Sequence, residues 1–337
     1  MRFAIYVSTL IISLVLEDSP PASMLHLASV TDVPSVANNL IAYPVRCGSS
    51  GQMFFRMYKV GDPMGASILE LEPDKSSLAN TFNFQKIQDS AVPKPDKLKA
   101  SDFQIQGSTL YVLAQDADVN SFVLKFSLSD GSYDGAVVME RGFWPQQLAV
   151  FDSGGFIASG FLTRIDSTTN NSTTEIATDQ YGRDGRLMNY LHLFGDVSVK
   201  GSAPNEAERN QISGSQTVGS GSNVYLIRPG NPVALYVLAE GGGKPEHHDL
   251  WSPGTDWTPY SLQISGERAL VGFVHDLQKD GKTKQYVQYS LSSFEPASTM
   301  YETPDVEGAF GCTDWQGNYS FLITRKQHLA VLKASSR

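Results

Sequence analysis

The densest group of metal-ligand side chains is Glu246-His247-His248-Asp249, inside the stretch PEHHDLW at 245–251. Imidazole nitrogens and carboxylate oxygens hold zinc when three or four converge on one point. Consecutive residues of a strand project to opposite faces, so His247 and His248 cannot both reach one ion without a bulge. The stretch therefore reads as a polar outer strand and loop. Three further stretches carry the letters of known chemistry without its geometry. DADVNS, Asp116 to Ser121, alternates oxygen donors as a calcium loop does, but its sixth position is Ser121 instead of glycine and its twelfth is Ser127 instead of a bidentate glutamate. DGKT, Asp280 to Thr283, ends like a phosphate loop, yet Asp276 stands where the first glycine belongs and no helix follows. The Gly/Ser-rich segment Ser213 to Ser222 contains no G-x-S-x-G, so no nucleophile elbow is supported. With two cysteines, Cys47 and Cys312, and no C-x-x-C, a structural zinc site fails on ligand count. The aromatic residues Trp144, Trp251, Trp257 and Tyr260 remain as candidates for stacking on a sugar or anchoring a partner.

Composition indicates which elements must position these residues. A chain of 337 residues with 41% apolar side chains can bury a sizeable core, while only 18% of residues are charged and Gly, Ser and Thr abound, as in turn-rich β proteins. The net charge is −9 and no Lys/Arg cluster occurs, which speaks against nucleic acid and against polybasic attachment to an anionic membrane. Met1-Arg2, the apolar run Phe3 to Leu16 and the break at Glu17-Asp18-Ser19-Pro20-Pro21 have the form of a secretory signal. About 14 apolar residues are too few to span a bilayer comfortably, so residues 1–22 are assigned to a signal peptide, with an uncleaved anchor as the lesser alternative. Export and no stable membrane span after cleavage are the expectations, although the prolines make a poor cleavage site.

Two stretches repeat one phrase. DFQIQGSTLYVL (Asp102 to Leu113) and SLQISGERALVGF (Ser261 to Phe273) both read apolar–Gln–Ile–polar–Gly, then a turn, then an apolar run. The same plan of strand, Gly/Ser/Asp turn and strand recurs at Val45 to Tyr58, Leu148 to Leu162, Thr217 to Ile227 and Phe310 to Ile323. Phe55, Tyr111, Ile157, Tyr225, Val271 and Phe321 occupy matching positions about 50 residues apart, which makes six units. Alternating third strands follow at 66–74, 121–131, 232–242, 284–293 and 328–336, and weaker fourth strands at 78–84, 135–140, 186–193 and 297–301. Four antiparallel strands per such period form a β-propeller blade, whereas a β-sandwich has no reason to repeat its sequence. The sixth unit, from Val306 to Arg337, has only three strands, and Ser23 to Val30 is a spare strand ahead of the first. An all-β, six-bladed propeller over 23–337 is therefore expected, its ring closed by strand 23–30 joining the blade at 306–337, which removes open edges.

On these repeats the chain resembles the six-bladed β-propeller group, and most of all exported bacterial propellers of unassigned role. Trp-Asp blade endings, a kelch-type double glycine and a sialidase Asp box are missing; TDWQGN (Thr313 to Asn318) resembles the last only superficially. The turns between first and second strands are tight, and the long connections at 86–101, 140–146, 194–215 and 250–260 emerge together on the opposite face, where recognition usually sits. Trp144, Trp251, Trp257 and Tyr260 lie in or near those connections and either meet a partner or, as the sequence favours, wedge between blades. Cys47 and Cys312 fall just after the innermost strands of neighbouring blades one and six. A bridge there is sterically feasible, but two buried free thiols are slightly favoured. The function expected is non-catalytic: an exported binding or scaffold module that takes a protein, glycan or small ligand on the long-loop face, without a cofactor. The alternative is a calcium-dependent lactonase- or hydrolase-like propeller enzyme, for which the inner strands offer only Asp102 and Asp152 as carboxylates.

Overall fold

A two-residue hairpin turn needs backbone with positive φ, and glycine adopts it without strain. Gly107 and Gly266, the glycines of the repeated phrase, sit at φ 57 and 56 and turn the innermost strand of a sheet back onto the next. The computed structural model describes residues 20–336, apart from positions 38, 60–66, 73–76, 117, 119, 166–167, 170–171, 192, 194–197, 200–211, 213, 278–280, 307 and 326–327. The segment assigned to the signal lies almost wholly outside the described residues.

In chain order come β1 (Ala22–Met24) and β2 (His26–Ala37), then six successive sheets. Blade one is β3 (Asn39–Cys47), β4 (Met53–Lys59), β5 (Ser67–Leu71) and β6 (Leu78–Asn83). Blade two is β7 (Lys99–Gln106), β8 (Thr109–Gln115), β9 (Ser121–Ser127) and β10 (Tyr133–Val138). Blade three is β11 (Phe143–Val150), β12 (Phe156–Ile165), β13 (Ser172–Tyr181) and β14 (Leu187–Leu191), with the short β15 (Ser198–Val199) also pairing β13. Blade four is β16 (Gln216–Ser220), β17 (Asn223–Arg228), β18 (Val233–Ala239) and β19 (Glu246–Leu250). Blade five is β20 (Thr258–Ser265), β21 (Arg268–Leu277), β22 (Gly281–Ser290) and β23 (Pro296–Tyr301), and blade six is β24 (Ala309–Thr313), β25 (Asn318–Arg325), β26 (His328–Ser335) and β2. This is a six-bladed β-propeller.

The N-terminal strand completes the last blade by antiparallel pairing of β2 with β26. Its course differs from the expectation in one respect. Residues 26–37 make that pairing, whereas Ala22–Met24 run parallel to β23 and add a fifth strand to blade five. Leu25, fully buried in the core shared by blades five and six, marks the crossover. Pro21 already belongs to the fold, because its carbonyl accepts the Thr299 N–H at 2.8 Å.

The core lies between blades as apolar layers. Phe54, Phe82, Phe103 and Phe122 fill the layer between blades one and two, and equivalent clusters separate each later pair. Middle strands covered on both faces read as continuous apolar runs, as Leu110 to Ala114 do. Among the described residues, no helix is long and apolar enough to cross a membrane.

Candidate functional site

The six innermost strands, β3, β7, β11, β16, β20 and β24, begin on the long-loop face and end at the tight turns, so their side chains line a central channel. Arg46, on blade one, crosses it. Its Nε donates to the Phe103 carbonyl (3.2 Å), its Nη1 to the Thr217 carbonyl on opposite blade four (2.7 Å), and its Nη2 to both oxygens of Asp102 (2.9 and 3.2 Å). Asp102 also accepts the Phe103 N–H (2.8 Å) and, from blade three, the Leu148 N–H (2.8 Å). Both side chains are buried. A buried charge pair is tolerated when its remaining donors and acceptors are met, and here four blades supply them. The result is a polar plug that divides the channel into two mouths. Chemically, Asp102 has its lone pairs committed to four donors, and a cation seated there would have to displace them.

The long-loop mouth is a shallow cup of about 170 Å³ lined by Ser101, Gln146, Gln147, Ser215 and Gln216. Gln147 donates its amide N–H to the Ile212 carbonyl (2.6 Å), while its Oε1 is buried without a partner. The tight-turn mouth is larger, about 590 Å³, walled by Gln104, Val218, Leu262, Gln263, Thr313, Trp315 and the turn at 47–51. Cys47 and Cys312 are joined here as a disulfide across blades one and six, with Cα atoms 5.5 Å apart, so the two free thiols favoured by the sequence do not occur. Asp152, the second carboxylate considered for calcium, sits in a tight turn and accepts a hydrogen bond from the Gln106 amide.

The candidate aromatics separate. Trp144, second residue of β11, is 51% exposed beside the long-loop cup. Trp251 and Trp257 instead pack on the apolar layer between blades four and five, the Trp257 ring 5.3 Å from that of His275. Tyr260 turns into the layer between blades five and six. Its hydroxyl meets that of Tyr286, which donates to Glu302, and Glu302 lies 3.5 Å from the Lys284 ammonium. Burial, with Tyr260 and Glu302 close by, drives the Tyr286 phenol far above its ordinary value.

His247 and His248 occupy β19, the outermost strand of blade four, and face opposite ways. His247 lies against Tyr236 (centroids 5.1 Å apart) and His248 stacks on Phe294 (3.5 Å). Each imidazole faces a carboxylate two residues away, Asp249 for His247 and Glu246 for His248. The two are not brought to one point. Among the described residues, no group of three or more His, Cys, Asp or Glu is placed to hold a metal. The DADVNS stretch is a hairpin in which the Asp116 carboxylate caps its own loop, accepting the Asp118 and Asn120 N–H groups and the Asn120 amide. Asp314 does the same with Gln316 and Asn318 in the blade-six turn. Gly281 pairs with Leu277 in the hairpin that contains DGKT, while Asp280 and most of 194–215 lie outside the described residues.

Sequence reasoning missed the Arg46 plug and one buried acid, Asp179 on β13. Asp179 is fully buried between blades two and three, and burial together with nearby Glu140 pushes its carboxyl up to about 7 against the partial relief of Arg164. Arg228, buried between blades three and four, is pushed down to about 10 by desolvation.

The sequence matches no protein-family model and no curated protein. Solved structures do share its shape. The phage phi92 endosialidase has a TM-score of 0.52 at 8% identity, over 92% of this chain and 69% of that one. A protein of unknown function from Dyadobacter fermentans has a TM-score of 0.52 at 10% identity, over 93% and 99%. The WD40 domain of Neurospora crassa Pan2 has a TM-score of 0.50 at 7% identity, over 93% and 97%. At such identities the likeness is one of fold, the β-propeller, and extends no further.

Proposed function

We propose that the protein is an exported, non-catalytic propeller that binds a macromolecular partner on its long-loop face. The observation that carries this reading is Trp144: a tryptophan left 51% exposed at the channel mouth, on a strand held rigidly by its neighbours. Large aromatics on rigid scaffolds are the usual anchors of recognition. The committed lone pairs of Asp102 favour binding over calcium-assisted hydrolysis. Export agrees with the Cys47–Cys312 bridge, since such bridges persist in oxidising compartments. Signal cleavage ahead of Pro20 would leave β1 and its Pro21–Thr299 bond whole.

The test places a photo-crosslinking amino acid at position 144 and, as a control on the tight-turn face, at position 267, in the protein expressed in its native host. A discrete adduct from position 144 and none from 267 is expected. No adduct at 144, or the same adducts from both positions, would contradict the assignment.

A further inference from the structure

The repeated phrase places Gln104 and Gln263 at equivalent points, three residues before Gly107 and Gly266. Blades two and five face each other across the ring, and both glutamines line the cavity of about 590 Å³ at the tight-turn mouth. Gln263 is tied down: its amide N–H donates to the Gly311 carbonyl and approaches Cys47 Sγ at 3.3 Å. Gln104 is not. It is 95% buried by its 5% exposure, and its Oε1 has no hydrogen-bond partner. A buried amide oxygen left without a donor is costly, and each such group calls for an explanation.

The rest of the wall narrows what would supply that donor. Leu262 and Val218 give apolar surface, Thr313 a hydroxyl, and Trp315 an indole, held at φ 61 with the Arg268 guanidinium 5.1 Å from its ring centroid. Two ionisable side chains reach the cavity, and both are already engaged, Arg46 by Asp102 and Asp314 by the amides of its own turn. A charged ligand would meet no uncompensated opposite charge. A hydroxyl-rich neutral one would meet amides on two opposing walls with apolar surface between them.

We propose that the tight-turn mouth is a binding site for a neutral saccharide of one or two hexose units, with Gln104 accepting a hydrogen bond from a ligand hydroxyl. The site is at the end of the channel opposite Trp144 and stands whether or not the long-loop face binds a partner. The test uses the full chain and ligand-detected NMR against a fixed set of neutral sugars: glucose, galactose, mannose, N-acetylglucosamine and the disaccharides of each. Saturable binding of at least one member is expected, weakened at least tenfold by Gln104→Leu. Because that variant removes an unpartnered polar group, its melting temperature is expected to match or exceed the wild type, which separates loss of the ligand from loss of the fold. Trp315→Phe, which keeps an apolar ring in the wall, is expected to weaken the same sugar. The proposal is overturned if no member binds, if Gln104→Leu binds as tightly as wild type, or if binding is confined to acidic sugars added as a counter-screen.

Discussion

Asp179 carries its carboxylate where water does not reach, and that has a consequence for pH. Its carboxyl ionises near 3.8 in the unfolded chain and at about 7 in the fold, so the folded state holds a proton that the unfolded state gives up. A raised acid favours folding at low pH, and the advantage disappears as pH rises from about 4 to about 7, on the order of 4 kcal/mol at full effect. Asp179→Asn should abolish that slope and raise the melting temperature at pH 8. Denaturation followed across pH 4 to 8 checks this; an unchanged slope in the variant would place the pH dependence elsewhere. The Arg46–Asp102 pair differs in kind, because each partner is matched by charge and by backbone groups from several blades.

The elements are held by approach as well as by pairing. Gly219 on β16 lies so near β11 that a Cβ there would stand 1.7 Å from the Val150 carbonyl oxygen. Backbone cannot yield as a flexible side chain does. Gly219→Ala should therefore force blades three and four apart and cost about 2 kcal/mol or more, read as a lower urea midpoint at unchanged slope. Wild-type stability would mean the inner strands are not so tightly set. These elements were unequally legible. The Gly-turn phrase exposed the two inner strands of every blade because it is local and recurs. Strand β13, Ser172–Tyr181, escaped because its buried residues include Thr178, Asp179 and Gln180, polar letters that break the apolar alternation used to find strands. The plug escaped for another reason: Arg46 and Asp102 are 56 residues apart, and only the ring makes them neighbours. The self-capped hairpins at Asp116 and Asp314 carry a readable signal, an Asp followed four residues later by Asn, in D-A-D-V-N and D-W-Q-G-N. The two amides of the tight-turn cavity were in view from the start, within the repeated phrase, but their meeting across one cavity is a property of blades two and five standing opposite.

At the scale of the molecule, the ring is closed twice over, by the ladder between β2 and β26 and by the disulfide between blades one and six. The bridge spans 265 residues, and a cross-link of such span removes unfolded-state entropy worth about 5 kcal/mol in the chain-entropy model. Reduction, or Cys312→Ala, should lower the melting temperature without abolishing the fold, since the ladder remains. A reduced protein that melts with the oxidised one would show the ladder alone to suffice. The broader claim is that this propeller works by binding at the mouths of a channel sealed by Arg46 and Asp102, with no cation in the seal. Thermal unfolding of the chain from Pro20 onward, with calcium and with a chelator, tests it most directly, since a ligand held by the folded state alone raises the midpoint. The account predicts one midpoint under both conditions; a midpoint raised by calcium and lowered by the chelator would contradict it.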